Sequence, residues 1–212
     1  MSLRFRGEQL TLHRVMGKAN PFGHLKKDPV MKKLIEKHGE LRLVWEADVW
    51  EDLVDSIISQ QLSDKAAATI GKRFRALFGK KFPRPGRVLA ITNEKIRACG
   101  LSWSKVSYIK NIAEAIETGK LVLEKLGDME DEEVMTELTK IKGVGQWTAE
   151  MTLMFSLFRP DVFSLGDAGL RAAVAKLYKV EKENLKVIAR IAEKWRPHRS
   201  LAARYLWKSL ER

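Results

Sequence analysis

Apolar residues recur about every 3.6 positions through nearly the whole chain, and this rhythm limits the fold more than any other feature. Trp50, Leu53, Val54, Ile57, Ile58 and Gln61 fall at i, i+3, i+4, i+7, i+8 and i+11, one face of one helix. Stop and start signals divide the rest. Asp28-Pro29 is an N-cap with proline at the first helical position, and Gly39 ends that helix. Ser63 caps a helix that turns Ala67, Ile70, Phe74 and Leu77 inward and ends at Gly79. The loop Phe82-Pro83-Arg84-Pro85-Gly86 leads to a short helix, then to one capped at Thr92 and closed by Gly100. Ser102 or Ser104 starts a helix through Val106, Ile109, Ala113 and Ile116, stopped by Gly119. Asp131 opens another, and a further one spans about Gln146 to Phe158, before Pro160. Asp167 opens a helix carrying Leu170, Val174 and Leu177; Glu183–Trp195 and His198–Leu210 follow, separated by Pro197. No segment alternates with period 2. The expected fold is all-α, with about ten helices.

Composition narrows the function classes. The 212 residues, 45% of them hydrophobic, suffice for one large domain or two small ones sharing a core. A net charge of +12 suits a polyanion, with nucleic acid ahead of membrane. No apolar run reaches the roughly 20 residues of a spanning helix. The start, Met1-Ser2-Leu3-Arg4-Phe5-Arg6, lacks the apolar stretch of a secretory signal. Cys99 is the single cysteine, so no intrachain disulfide and no cysteine-built zinc or iron–sulfur site is expected. The four histidines show no metal-ligand spacing. These features point to an intracellular protein. Nothing in the sequence is a device for oligomerisation, so a monomer is expected.

The segment Leu138-Thr139-Lys140-Ile141-Lys142-Gly143-Val144-Gly145-Gln146-Trp147-Thr148-Ala149 carries the chemistry of binding. It reads as a helix end, a turn with two glycines and a helix start. Such a hairpin directs backbone N–H groups at an anion, a DNA phosphate for example, without reading a base. Gly143 and Gly145 are expected to supply positive φ and close approach, Lys142 a charge, and Thr148 a hydroxyl for a neighbouring phosphate oxygen. A lone carboxylate, Asp167 in Phe163-Ser164-Leu165-Gly166-Asp167, lies 22 residues beyond Gly145. Asp is also a common N-cap, and both roles can coexist.

Hairpin and Asp at this spacing resemble the helix-hairpin-helix superfamily of DNA base-excision glycosylases. Three further segments resemble its 3-methyladenine DNA glycosylase (alkylpurine) branch: Ile57-Ile58-Ser59-Gln60-Gln61-Leu62-Ser63, Trp147-Thr148-Ala149, and Trp195-Arg196-Pro197-His198-Arg199-Ser200-Leu201-Ala202. The resemblance covers about residues 25–210. Leu165-Gly166 departs from a more usual proline-containing approach to the Asp, and Met151 stands where larger bacterial enzymes place an aromatic.

The resemblance implies two lobes around a DNA-facing cleft. Residues 47–160 would be one, ending in the helix-hairpin-helix at about 132–158. Residues 1–46 with 161–212 would be the other, carrying the catalytic Asp167. It implies a monofunctional hydrolase on double-stranded DNA that flips a damaged base and leaves an abasic site, because Trp147 occupies the place of the Schiff-base lysine of the bifunctional members. Trp147, Trp207 and Met151 would line the base pocket. Trp103, read as a loop residue between small polar neighbours, would be the wedge that fills the hole left by the flipped nucleotide. Gln60 and Gln61 would touch the opened minor groove. Lys142, Gly143, Val144, Gly145, Gln146 and Thr148 would hold the phosphate. A monovalent cation (Na+ or K+) on the carbonyls of Thr139, Ile141 and Val144 is the one metal expected, with no other cofactor. Trp50 and Trp195 read as core residues. Two other readings stay open at this point: a non-catalytic helix-hairpin-helix DNA-binding module, and a glycosylase for mismatched or oxidised bases.

Overall fold

The computed structural model describes residues 20–41 and 48–211. Twelve α-helices and two irregular turns make up the regular structure of these residues, and no strand occurs among them. They run α1 (Pro21–Leu25), α2 (Pro29–His38), α3 (Val49–Ser59), α4 (Asp64–Ala76), α5 (Pro85–Ala90), α6 (Asn93–Arg97), α7 (Trp103–Glu117), α8 (Asp131–Thr139), α9 (Gln146–Met151), α10 (Ala168–Tyr178), α11 (Leu185–Glu193) and α12 (Arg199–Lys208). A 3-10 turn at Leu123–Lys125 precedes α8, and a π turn at Thr152–Ser156 continues α9. The described residues divide into two compact units, 48–157 and 20–41 with 158–211. Residues 1–19 and 42–47, which the sequence reading shared between the lobes, lie outside the described part.

Capping chemistry starts most helices where the sequence placed them. Asp28 Oδ1 accepts from the N–H groups of Val30 and Met31 at 2.9 and 3.1 Å. Ser102, rather than Ser104, caps α7 by accepting from Lys105 N–H at 3.2 Å. The cap puts Trp103 at the first helical position instead of in a loop. Asn20 accepts from Gly23 N–H and starts α1 ahead of Pro21, a short helix that hydrophobic rhythm alone did not reveal.

In the first unit Leu53, Val54 and Ile57 of α3 are fully buried, as their spacing requires. The Trp50 indole donates to the Pro83 carbonyl at 2.7 Å and fixes the proline-rich loop. Helix α4 ends at Ala76, earlier than expected, so the chain turns Phe78 into the core and leaves Leu77 outside. The expected helix from Gln146 to Phe158 is also interrupted. Leu157 N–H donates to the Thr152 carbonyl five residues back, the mark of a π turn. Phe158 then adopts φ +54° and ends the segment. In the second unit α10 packs on α12, and α12 on α2. Trp195 is fully buried there, and the Tyr205 hydroxyl donates to the Gly39 carbonyl at 2.8 Å.

Candidate active site and nucleic-acid interface

The hairpin between α8 and α9 is closed by Val144 N–H donating to the Ile141 carbonyl at 2.9 Å. Gly143 has φ +109°, and a Cβ there would lie 2.3 Å from Tyr108 Cγ. Conformation and space both require glycine at this position. Gly145 differs from the expectation of positive φ. It is the extended N-cap of α9 at φ −91°, and a Cβ there would meet nothing within 4 Å. Its role is open surface beside the first turn of α9, where N–H groups have no intrahelical acceptor.

Side chains behind the hairpin hold it in place. Asn111 Nδ2 donates to the Lys142 carbonyl at 3.1 Å. Gln60 Nε2 reaches the Gly143 carbonyl at 3.5 Å and Thr148 Oγ1 at 3.4 Å. Gln60, half-buried, therefore touches the hairpin. Thr148 is 1% exposed, so its hydroxyl braces the interior and is out of reach of a phosphate, contrary to the sequence reading. The Val144 side chain is buried, whereas Lys142, Gly145 and Gln146 are exposed. Gln146 Nε2 donates along its own helix to Glu150 at 3.0 Å. Thr139 is exposed at the end of α8, its hydroxyl donating to the Met135 carbonyl.

The turn after α3 is built by a lysine that sequence reasoning missed. Lys105 Nζ donates to the Ile58 and Gln60 carbonyls at 2.8 and 2.7 Å, capping the C-terminal end of α3. Gln61 then takes φ +56° and is exposed, with Leu62 beside it 39% exposed. Trp103 is 56% exposed, with the Arg97 guanidinium 5.8 Å from its ring centre. Lys105, Tyr108 and Asn111 recur every third residue on α7, one stripe serving both turns. That spacing was the available signal.

In the second unit Asp167 is the N-cap of α10. Its Oδ1 accepts from Leu170 N–H at 2.7 Å and from the Trp207 indole N–H at 3.0 Å. Trp207, expected as a pocket wall, thus holds the carboxylate of Asp167. It packs where a Cβ on Gly169 would come within 3.4 Å of its ring. The C-terminal sequence signature positions the chain that leads to this acid. Arg199 Nε donates to Asp161 Oδ1 at 2.8 Å and its Nη2 to the Asp161 carbonyl at 2.6 Å. Arg196 Nη1 reaches Asp161 Oδ2 at 2.6 Å. Ser200 Oγ donates to the Arg159 carbonyl at 2.6 Å and accepts from Val162 N–H at 2.9 Å. Residues 159–162 are therefore bound to the first turn of α12, a few residues ahead of Asp167.

Trp147 is half-buried on α9, and Met151, one turn later, is 7% exposed. Met151 lines a cavity of about 440 Å³ that lies within the first unit. Its remaining walls come from α3, α4 and the π turn, including Asp52, Arg75 and Ser156. None of these three stood out in the sequence. Among the described residues no group of three or more His, Cys, Asp or Glu side chains is placed to hold a metal ion. No helix among them is long and apolar enough to cross a membrane.

A family model described as HhH-GPD superfamily base excision DNA repair protein matches residues 54–197. A DNA-3-methyladenine glycosylase 1 of Schizosaccharomyces pombe is 36% identical over 180 residues, 84% of this chain and 79% of that protein. A putative DNA-3-methyladenine glycosylase, YfjP, of Bacillus subtilis is 32% identical over 188 residues, 85% of this chain and 66% of that protein. The solved structure of the Schizosaccharomyces pombe 3-methyladenine DNA glycosylase (Mag1) with abasic DNA superposes with a TM-score of 0.83. It is 34% identical, covering 90% of this chain and 96% of that one. Hairpin, capped acid and matched sequence agree, and the chain belongs to the HhH-GPD superfamily of base excision DNA repair proteins.

Proposed function

We propose that this protein is a monofunctional DNA glycosylase that hydrolyses the N-glycosidic bond of alkylated purines, 3-methyladenine and 7-methylguanine foremost, in double-stranded DNA. The observation that carries the reading is Asp167: a carboxylate fixed by two neutral N–H donors at a helix start, in a chain whose relatives bear the name 3-methyladenine glycosylase. Both donors are spent on holding the group, so its charge is oriented before the reaction begins.

Phosphates dock on the exposed edge of the hairpin around Lys142, Gly145 and Gln146, and the damaged nucleotide is turned out of the stack. The bond between C1′ and the base nitrogen stretches, and its electron pair leaves with the base. Positive charge grows on the sugar. Asp167 stabilises that charge and directs a water to C1′; the water oxygen bonds to C1′, its proton passes to the Asp167 carboxylate and on to solvent, and an abasic site remains. One charge pair at about 4 Å and an effective dielectric near 20 contributes about 4 kcal/mol, roughly a thousandfold in rate. An N-alkylated purine is already cationic and leaves readily. Trp147 has no amine for a Schiff base, which fits hydrolysis without strand cleavage. Trp147, Trp207 and Met151 serve as walls of the base pocket, and the exposed Trp103 as the wedge.

A monovalent cation on the carbonyls of Thr139, Ile141 and Val144 belongs to the same reading. The Ile141 carbonyl takes one N–H and keeps a second lone pair for an ion. The enzyme acts as a monomer inside the cell, where damaged DNA is found. The test is a duplex carrying one 7-methylguanine, treated with alkali after incubation. Alkali-dependent cleavage at the lesion, with no borohydride-trapped adduct, is expected. An intact strand after alkali would reject the activity, and a trapped adduct would reject the hydrolytic mechanism.

A further inference from the structure

The first unit holds a small acidic chamber in a strongly basic protein. Small residues open it: Ala67, Ala68 and Gly71 of α4 face α3 and the π turn across a cavity of about 440 Å³. That size suits a small organic group, since ligand pockets run roughly from 300 to 1,000 Å³. The π turn gives one wall its chemistry. Ser156, 2% exposed, donates its hydroxyl to Asp52 Oδ2 at 2.7 Å across 104 residues of sequence.

The charged groups lining the chamber are Asp52 and Asp55 from α3 and Arg75 from α4. The π turn adds Thr152, Phe155 and Ser156, none of them charged. Arg75 pairs with Asp55 and with Glu51, its Nη2 lying 3.0 Å from Glu51 Oε1. The lining thus carries two carboxylates and one guanidinium, an excess of one negative charge in a chain of net charge +12, and that guanidinium is shared with Glu51 outside the lining. Burial pushes the Asp52 carboxyl up to about 6; the Ser156 hydrogen bond opposes that rise, and Asp55, Glu51 and Asp48 add to it. A carboxylate kept under such conditions favours a cation entering the chamber.

We infer that the Asp52–Ser156 pair, on the cavity wall that includes Met151, selects the cationic form of the extruded base, making Asp52 a specificity-determining residue. This rests on the glycosylase reading, in which Met151 lines the base pocket. The Asp52 carboxylate attracts the positive ring of an N-alkylated purine, and Ser156 fixes which carboxylate oxygen turns toward it. Neutral lesions of similar size gain no such attraction.

The experiment compares single-turnover release of 7-methylguanine, a cation in DNA, with release of neutral 1,N6-ethenoadenine. Wild type, Asp52→Asn and Ser156→Ala are measured between pH 5 and 8. The ionised carboxylate is the form that attracts, so wild-type release of 7-methylguanine relative to the neutral base rises with pH through about 6. Asp52→Asn lowers that ratio by about tenfold or more and flattens its pH dependence. Ser156→Ala removes a bond that favours ionisation, so the rise moves to higher pH. A thermal readout separates selection from packing. Asp52→Asn melts above wild type at pH 7.5, because a buried charge is gone, and the difference fades near pH 4, where the wild-type carboxyl is protonated. A ratio within about twofold of wild type in both variants, with an unshifted pH profile, would overturn the inference while leaving the glycosylase reading intact. Failure of the wild-type enzyme to release either base would overturn both.

Discussion

The hairpin and the Asp167 region solve opposite problems. At the hairpin, side chains from behind serve the backbone: Gln60, Asn111 and Thr148 brace a turn whose exposed edge carries Gly145 between Lys142 and Gln146. At Asp167 the arrangement is reversed. Backbone and indole N–H groups hold one side chain, the carboxylate to which the proposed mechanism gives the chemistry. Binding DNA without regard to sequence needs groups that every residue possesses, so main chain suffices. Stabilising a cation needs one charge in one place, so a single carboxylate is fixed by everything around it.

This contrast can be broken from either side. Among variants that keep the carboxylate, Gly143→Ala should have the largest effect. A Cβ at 2.3 Å from Tyr108 and a positive φ together cost about 3–5 kcal/mol, read as a lower midpoint in denaturant and a loss of DNA affinity. Equal stability and affinity would show that the turn does not depend on glycine. Arg199→Ala comes next. It strips Asp161 of a partner that is 16% exposed, at about 2–4 kcal/mol, and loosens the segment leading to Asp167. Excision at saturating enzyme should fall with it while the dissociation constant for DNA moves little. Trp207→Phe keeps an aromatic wall but removes the N–H that orients the acid. About a tenfold drop in single-turnover rate is expected, roughly the value of one charge-assisted hydrogen bond. A rate equal to wild type would reduce Trp207 to a wall. Smallest per contact is the salt effect. The logarithm of affinity should fall by about 0.9 per phosphate contact for each decade of salt, and a flat response would remove the hairpin as the docking surface.

What could be read in the sequence was local, and what could not was distant. The Gly143-to-Gly145 turn, the Asp28, Ser63 and Asp167 caps and the α3 face all depend on neighbours within one or two helical turns, where spacing fixes the outcome. The Trp207 bond to Asp167 spans 40 residues and the Ser156 bond to Asp52 spans 104. No spacing rule reaches so far. Trp207 was placed near the site only through family resemblance, and its second role, holding the acid, was invisible. The π turn escaped for another reason: over five residues its period cannot be told from that of an α-helix, yet it brings Ser156 to Asp52. Thr148 shows the converse error. A hydroxyl beside a phosphate-binding turn reads as a donor to DNA, but its place on the inner face of α9 gives it to the interior.

The most direct test removes the acid alone. Asp167→Asn keeps the shape of the side chain and an oxygen for the Leu170 and Trp207 donors. Single-turnover release of 7-methylguanine should fall by about a thousandfold or more, while the dissociation constant for the same duplex stays within about twofold. Release at the wild-type rate would contradict the assignment of Asp167 as the group that stabilises the sugar cation formed as the base departs.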